Sequence, residues 1–215
     1  VDCAPLNAKI GPSQKEVCNL IDDNCDGAAD EGSACAQKTK FYGTVLDAKT
    51  KLPITTATVE LLEDLPGLDL ILCPVGGGGL LCGTAVAAKA LQPAIRVIGV
   101  EPALADDVAQ SFRAGRRISI PTPATIADGL RTNSPGEINL PLIRSYVDDI
   151  ATVSEEGIMA ATRELCDKLG MVIEPSSAVP YAALLEYRFP FTGKRIGLIL
   201  SGGNVDLASL PWMKP

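Results

Sequence analysis

Four consecutive glycines, Gly76-Gly77-Gly78-Gly79, stand between an apolar run, Leu68 to Cys73, and a stretch of helix-forming composition, Leu81 to Ala90. A short buried strand, a glycine turn and a helix start make a place where backbone N–H groups converge on an anion. The helix N-terminus adds its partial positive charge, and the missing Cβ atoms let the backbone close on a ligand. The reading with chemistry in it is a phosphate cradle. The plainer reading is a tight strand-to-helix turn, which needs only one or two glycines. The loop alone does not name the phosphate.

A second donor set lies near the N-terminus. Asp22, Asn24 and Asp26 are spaced two apart, Gly27 follows where a sharp turn is needed, and Asp30 sits at the ninth position. This is the order of a calcium loop, D-x-[DN]-x-[DN]-G. The twelfth position is Ser33, so the bidentate glutamate is missing or replaced by Glu31. A hard-cation loop and an acidic turn pinned by disulfides both remain open.

The elements that must carry the glycine loop begin at Leu65, where strands and helices alternate. Arg96–Val100 reads as a second buried strand ending at Glu101-Pro102, followed by a helix from Asp106 to Arg113. An irregular stretch rich in glycine and proline runs to Gly136, then Leu142–Val147 and a short strand, Ala151–Val153. Ser154 caps a helix from Gly157 to Leu169, whose first acids Glu155 and Glu156 complement the helix dipole. A helix near Ser177–Tyr187 precedes the last strand, Arg195–Leu200, which stops at Ser201-Gly202-Gly203-Asn204. Such alternation predicts an α/β fold, a parallel sheet flanked by helices, with ligands at the carboxyl ends of its strands. Gly76–Gly79, Glu101–Asp107 and Ser201–Asn204 all fall at such ends.

Composition narrows the classes. The 215 residues are 47% apolar and 21% charged, enough for a core and against a disordered chain. A net charge of −7 argues against nucleic acid as partner. No apolar stretch approaches the roughly 20 residues of a membrane span, and Val1-Asp2-Cys3-Ala4 does not read as a signal peptide. Histidine is absent, which removes Ser–His and Cys–His nucleophiles and His-ligated zinc. Cys3, Cys18, Cys25 and Cys35 read as the disulfide framework of an exported module, whereas Cys73, Cys82 and Cys166 read as core fillers of a cytoplasmic protein. The two compartment signals conflict. Three parts are expected: a Cys/Asp-rich metal-binding segment, 1–37; a β-hairpin fragment, 38–63; and an α/β domain, 64–215.

The segment Glu16–Gly27 with Asp30-Glu31-Gly32 resembles the short Cys/Asp-rich metal-binding repeats of exported bacterial surface proteins. A pairing of Cys18 with Cys25 and Cys3 with Cys35 is one of the three that four cysteines allow. Phe41–Asp47 and Ile54–Leu61 resemble the first two strands of a transthyretin-like or carboxypeptidase-regulatory-like sandwich, and no chemistry is assigned to them. Residues 65–215 resemble the C-terminal half of serine racemase and the serine/threonine dehydratases, the fold-type II pyridoxal phosphate enzymes. The matching motifs are Pro74–Gly79, Glu101-Pro102 with Ala105-Asp106-Asp107, Ile126–Gly129, Val147–Ile150, Ile173–Ser176 and Leu200–Asp206.

That resemblance implies an incomplete large domain in which Gly76, Gly77, Gly78 and Gly79 hold the 5′-phosphate of pyridoxal phosphate. Ser201 would hydrogen-bond the pyridine nitrogen, and Glu174 would line the pocket. Glu101, the carbonyl of Ala105 and Asp107 would bind magnesium, manganese or calcium. The plainer roles are a turn serine for Ser201, a helix-start acid for Glu174, and a helix cap with first-turn acids for the last group. The lysine that links to the cofactor belongs to the family's other half and is not matched here, so no catalytic residue is assigned. The expectation is a protein of the amino-acid elimination and racemisation class, acting on small substrates of the L-serine/L-threonine type if active, and probed alone showing little turnover. Self-association, as a homo-oligomer or through exposed apolar surface, is also expected. The alternatives are an exported calcium-binding interaction module and an artificial or misassembled fusion.

Overall fold

The computed structural model describes residues 61–62, 64–186, 188, 190–206 and 210. The calcium-loop residues Asp22, Asn24, Asp26 and Asp30, the four N-terminal cysteines and residues 38–60 of the expected hairpin lie outside the described residues; Leu61 and Leu62, expected at the end of that hairpin, are helical instead, with Leu61 O accepting the Leu65 N–H at 3.0 Å. Residues 43–166 and 171–215 form one compact unit; of the other, residues 1–42 and 167–170, only Asp167–Gly170 is described, the end of a helix.

Strand β1 (Leu70–Pro74) is buried at all five positions, as an unbroken Leu-Ile-Leu-Cys run requires of a strand covered on both faces. It pairs in parallel with β2 (Arg96–Pro102), Leu72 opposite Ile98, and with β4 (Ile196–Leu198), Leu72 opposite Leu198. On the far side of β2 lies β3 (Asp149–Val153), also parallel, giving the order β3-β2-β1-β4. The helices are α1 (Gly79–Leu91), α2 (Asp107–Ala114), α3 (Asn139–Tyr146), α4 (Glu155–Leu169) and α5 (Pro175–Leu185). The α/β class and the parallel sheet expected from the alternation are what the chain forms.

Side chains alternate across the sheet. Ile71, Cys73 and Val97 meet Leu81 and Ala85 of α1, Val108 of α2 and Ile143 of α3 in one core cluster. Helix α5 packs across β1, β2 and β3 and contributes nothing to that cluster, which puts it on the opposite face. It is buried at every position from Pro175 to Ala183, and its low polarity fits burial on all sides. Asp148 ties the entry of β3 to the layer beside it: one carboxylate oxygen accepts the Val97 N–H at 2.7 Å, and Lys89 of α1 stands 2.8 Å from the same oxygen.

Gly99 of β2 marks the closest packing. A Cβ there would lie 2.6 Å from Ile150 Cδ1 and 2.7 Å from Leu81 Cδ2. Both are ends of movable side chains, so Gly99→Ala is expected to cost about 1–3 kcal/mol as overpacking rather than abolish folding. Urea unfolding checks this, and a variant as stable as the parent would contradict it. Cys73 and Cys82 are buried free thiols and Cys166 is half-buried. Burial pushes the Cys73 thiol up to about 12, so it stays neutral and inert, as a core filler should.

Element boundaries moved where capping, not composition, sets them. Helix α4 starts at Glu155 because Ser154 Oγ accepts the Gly157 N–H at 3.0 Å. Helix α5 starts at Pro175, two residues before the expected start, because proline is favoured at a first helical position. Strand β4 is only Ile196–Leu198, half the expected length.

Candidate cofactor and cation site

The sheet bonding of β1 persists to the mouth of the glycine loop, where the Val75 N–H donates to Val100 O at 2.9 Å. The chain then turns through Gly78, whose φ of +97° lies in the left-handed region and which is the N-cap of α1. Its carbonyl accepts the Cys82 N–H at 2.9 Å. The amide N–H groups of Gly76, Gly77, Gly78 and Gly79 have no acceptor among the described residues. Four neighbouring donors without partners, at the positive end of a 13-residue helix, suit an anion with several oxygens.

These glycines line a cavity of about 320 Å³, together with Gly129, Leu130, Asn139, Glu174, Ser176 and Ser201. That volume is at the lower end for a small-ligand site. The structure thus brings together the three cofactor elements expected from sequence: the loop, Ser201 and Glu174. Ser201 Oγ lies 3.3 Å from Ser177 Oγ of α5. Glu174, just before α5, does not cap that helix with its side chain. It fixes the segment after β4 instead: its Oε2 accepts the Asn204 N–H at 3.1 Å, and its own N–H donates to Gly202 O at 3.2 Å. A Cβ on Gly202 would sit 2.8 Å from Glu174 Oε1, so glycine is what allows this approach. Burial raises the Glu174 carboxyl above its ordinary value, partly opposed by the Asn204 bond.

Asn139, Ser176 and Ser177 were not among the expected site residues. Ser176 Oγ accepts the Gly129 N–H at 2.9 Å, which holds the irregular stretch against α5. Both serines follow the Glu174-Pro175 pair, and that polar start to an otherwise apolar helix was the available signal. Asn139 gave none, because its contact spans 62 residues of sequence.

At the carboxyl end of β2 the second cluster is also assembled. Glu101 is fully buried and turned toward α2, with Oε1 accepting the Ala109 N–H at 2.6 Å and Oε2 the Val108 N–H at 3.3 Å. It therefore satisfies the helix start, the plainer of the two expected roles. Asp107 is fully buried, and its Oδ1 has no hydrogen-bond partner. Thr132 Oγ1 stands 3.5 Å from its Oδ2. Ala105 closes a single 3₁₀ turn, Ala103–Ala105, between the two acids. Burial, with a smaller repulsion between the two acids, pushes Glu101 up to about 9; burial pushes Asp107 up to about 6. Among the described residues no group of three His, Cys, Asp or Glu side chains gathers around a cation position. The donor set offered there is two carboxylates and a carbonyl, all hard oxygen.

The profile of the family described as "Pyridoxal-phosphate dependent enzyme" matches residues 29–202, and one described as "Putative metal-binding motif" matches residues 2–31. The L-threo-3-hydroxyaspartate ammonia-lyase of Saccharomyces cerevisiae is 44% identical over 152 residues, 71% of this chain and 47% of that protein. The serine racemase of Arabidopsis thaliana is 46% identical over 160 residues, 72% of this chain and 48% of that protein. Among solved structures, maize serine racemase superimposes with a TM-score of 0.69 at 43% identity, covering 73% of this chain and 49% of that one. The chain spans about half the length of the curated relatives it matches. No helix among the described residues is long and apolar enough to cross a membrane.

Proposed function

We infer, because this chain belongs to the pyridoxal-phosphate dependent enzyme family, that its glycine loop holds the 5′-phosphate of pyridoxal phosphate. The observation that carries this is the row of four glycine N–H groups without an acceptor among the described residues, lining one cavity with Ser201 and Glu174. Those N–H groups and the α1 dipole take the phosphate charge. The Ser201 hydroxyl in the same cavity would be the partner of the ring nitrogen and, being neutral, would leave it without a proton. Glu174 keeps Ser201 in place by holding the Gly202–Asn204 backbone. The cofactor, when bound, supplies an electron sink next to the α-carbon of an amino acid. With an unprotonated ring nitrogen that sink suits elimination or racemisation of small amino acids of the L-serine/L-threonine class.

Turnover by this chain alone is expected to be slight. No lysine lines the cavity among the described residues; Lys89 pairs with Asp148, and Lys194 stands 3.5 Å from Asp69. A hard divalent cation, magnesium, manganese or calcium, would take Asp107 Oδ1 and the Ala105 carbonyl, and Glu101 would join them only by giving up the Val108 and Ala109 N–H groups that its oxygens now accept. The match at residues 2–31 supports a further calcium site at Asp22, Asn24, Asp26 and Asp30, to be tested by calcium titration of the whole chain.

Titration of the protein with pyridoxal phosphate and with pyridoxal tests the central reading. The phosphorylated form is expected to bind at least about tenfold more tightly, since charge-assisted bonds to the loop are lost without it. Equal affinities would remove the phosphate from the glycine loop. Borohydride treatment at equimolar pyridoxal phosphate followed by peptide mass spectrometry is expected to label no one lysine in preference to the other exposed amines. Release of pyruvate or 2-oxobutyrate from serine or threonine would overturn the claim of slight turnover.

A further inference from the structure

A glycine loop binds an anion well only if its peptides already point the right way. Gly77 and Gly78 have no side chains to bias their shared peptide, so its two faces are close in energy unless something outside the loop chooses. The structure contains that outside group. The carbonyl oxygen of Gly77 accepts two hydrogen bonds, from Asn139 Nδ2 at 2.7 Å and from the Gly136 N–H at 2.9 Å. In a planar trans peptide the C=O of one residue and the N–H of the next point in opposite directions, and the described chain has no cis peptide. Holding the Gly77 carbonyl against Asn139 and Gly136 therefore turns the Gly78 N–H the other way, where it has no acceptor among the described residues.

The side chain of Asn139 is spent on this contact. It is the first residue of α3, whose N-cap is Ile138 and which receives no side-chain cap. The surroundings leave the amide little freedom. A Cβ on Gly136 would fall 2.7 Å from Asn139 Nδ2, and one on Gly78 would fall 3.1 Å from Asn139 Cβ. The Cys82 thiol donates to Asn139 O at 3.4 Å, which ties the start of α3 to α1, the helix whose N-terminus the loop forms. Only the amide nitrogen, not the amide oxygen, can face a carbonyl at that distance.

We propose that Asn139 is a positioning residue for the phosphate site: by fixing the Gly77 carbonyl it presets the Gly78 N–H toward the anion. This rests on the reading of the glycine loop as the phosphate cradle, and it concerns preorganisation, since Asn139 acts through the peptide. Its consequence is selective, weakening ligands that carry a phosphate and sparing those that do not.

The test compares the parent chain with Asn139→Ala and Asn139→Leu, the second filling the space without a donor and both leaving the local charge unchanged. Pyridoxal phosphate, inorganic phosphate and pyridoxal are titrated into each, and thermal unfolding reports on folding. The expected result is binding of pyridoxal phosphate and inorganic phosphate weakened about tenfold in both variants, with pyridoxal affinity unchanged. In parallel, the amide resonance of Gly78 should shift with phosphate in the parent and respond less in the variants. Unchanged phosphate affinity in the variants overturns the positioning role while leaving the cradle intact. Equal weakening of all three ligands also overturns it, since that is what a general packing defect gives. A parent that binds neither phosphate nor pyridoxal phosphate removes the cradle and this inference together. If Asn139→Ala does not fold, Asn139→Leu decides.

Discussion

Gly78→Ala is expected to lose about 2–5 kcal/mol of stability and, with it, tight binding of pyridoxal phosphate. Two effects add. The residue has φ +97°, a conformation that costs a side-chain-bearing residue roughly 1–2 kcal/mol. The new Cβ would also meet Ile143 Cδ1 at 2.9 Å and Asn139 Cβ at 3.1 Å, between two helices already packed together, and overpacking of that kind costs about 1–3 kcal/mol. Relief requires the loop to turn elsewhere, which disperses the N–H groups that face the anion. Denaturant unfolding with and without pyridoxal phosphate reads both parts. A variant that keeps the parent's stability and still gains stability from pyridoxal phosphate would show that the loop does not need this glycine. Gly79→Ala is the internal control, because a Cβ there meets nothing within 4 Å and its φ is ordinary.

The second large effect is on pH. Kept in a chelator, the protein is expected to become more stable as the pH falls from about 9 to about 6. Burial pushes Glu101 from an ordinary 4.5 up to about 9, and Asp107 from 3.8 up to about 6. Between each pair of values the unfolded chain has released a proton that the folded chain retains, so added acid favours folding. The stabilisation is complete below the ordinary values and is lost as pH rises through about 6 for Asp107 and about 9 for Glu101. Between pH 6 and 9 the slope is expected to be about 1 kcal/mol per pH unit. Urea midpoints at several pH values in this window measure it. Magnesium or calcium should flatten the slope, because a cation at Asp107 Oδ1 also attracts the charge of the neighbouring Glu101 carboxyl and so lets it ionise in the folded protein. A flat profile in chelator, or stability that rises with pH, would show that these carboxyls ionise freely in the folded protein.

Much of this was legible in the chain, and the reasons are local. An unbroken run such as Leu70–Cys73 has few alternatives to a strand buried on both faces, and four glycines before a helix-forming stretch state where that strand ends. The order of motifs then placed Ser201 and Glu174 beside the loop, and the cavity contains both. What the sequence did not disclose depends on contacts distant along the chain. Glu101 spends its carboxylate on two α2 amides, a choice fixed by the angle at which α2 meets β2. Asn139 reaches Gly77 across the irregular stretch, and no spacing rule connects the two positions. Capping by Ser154 was visible as a residue type, whereas the hydrogen bonds that Glu186 of a later turn receives from Ser154 were not.

The sheet order also dictates how this domain comes together as it is made. β1 meets β2 after a single helical crossover, but its other edge belongs to β4, where Leu70 pairs with Ile196. Until β4 has been made, one edge of the fully buried strand β1 lacks the partner it has among the described strands of the finished sheet. Such an edge recruits other chains. Asp69, bound in the finished fold to the Arg195 N–H at 2.7 Å, places a charge at the start of that edge. Before β4 arrives that charge is expected to act as a gatekeeper against premature pairing, and in the finished fold it is the clasp that registers β4.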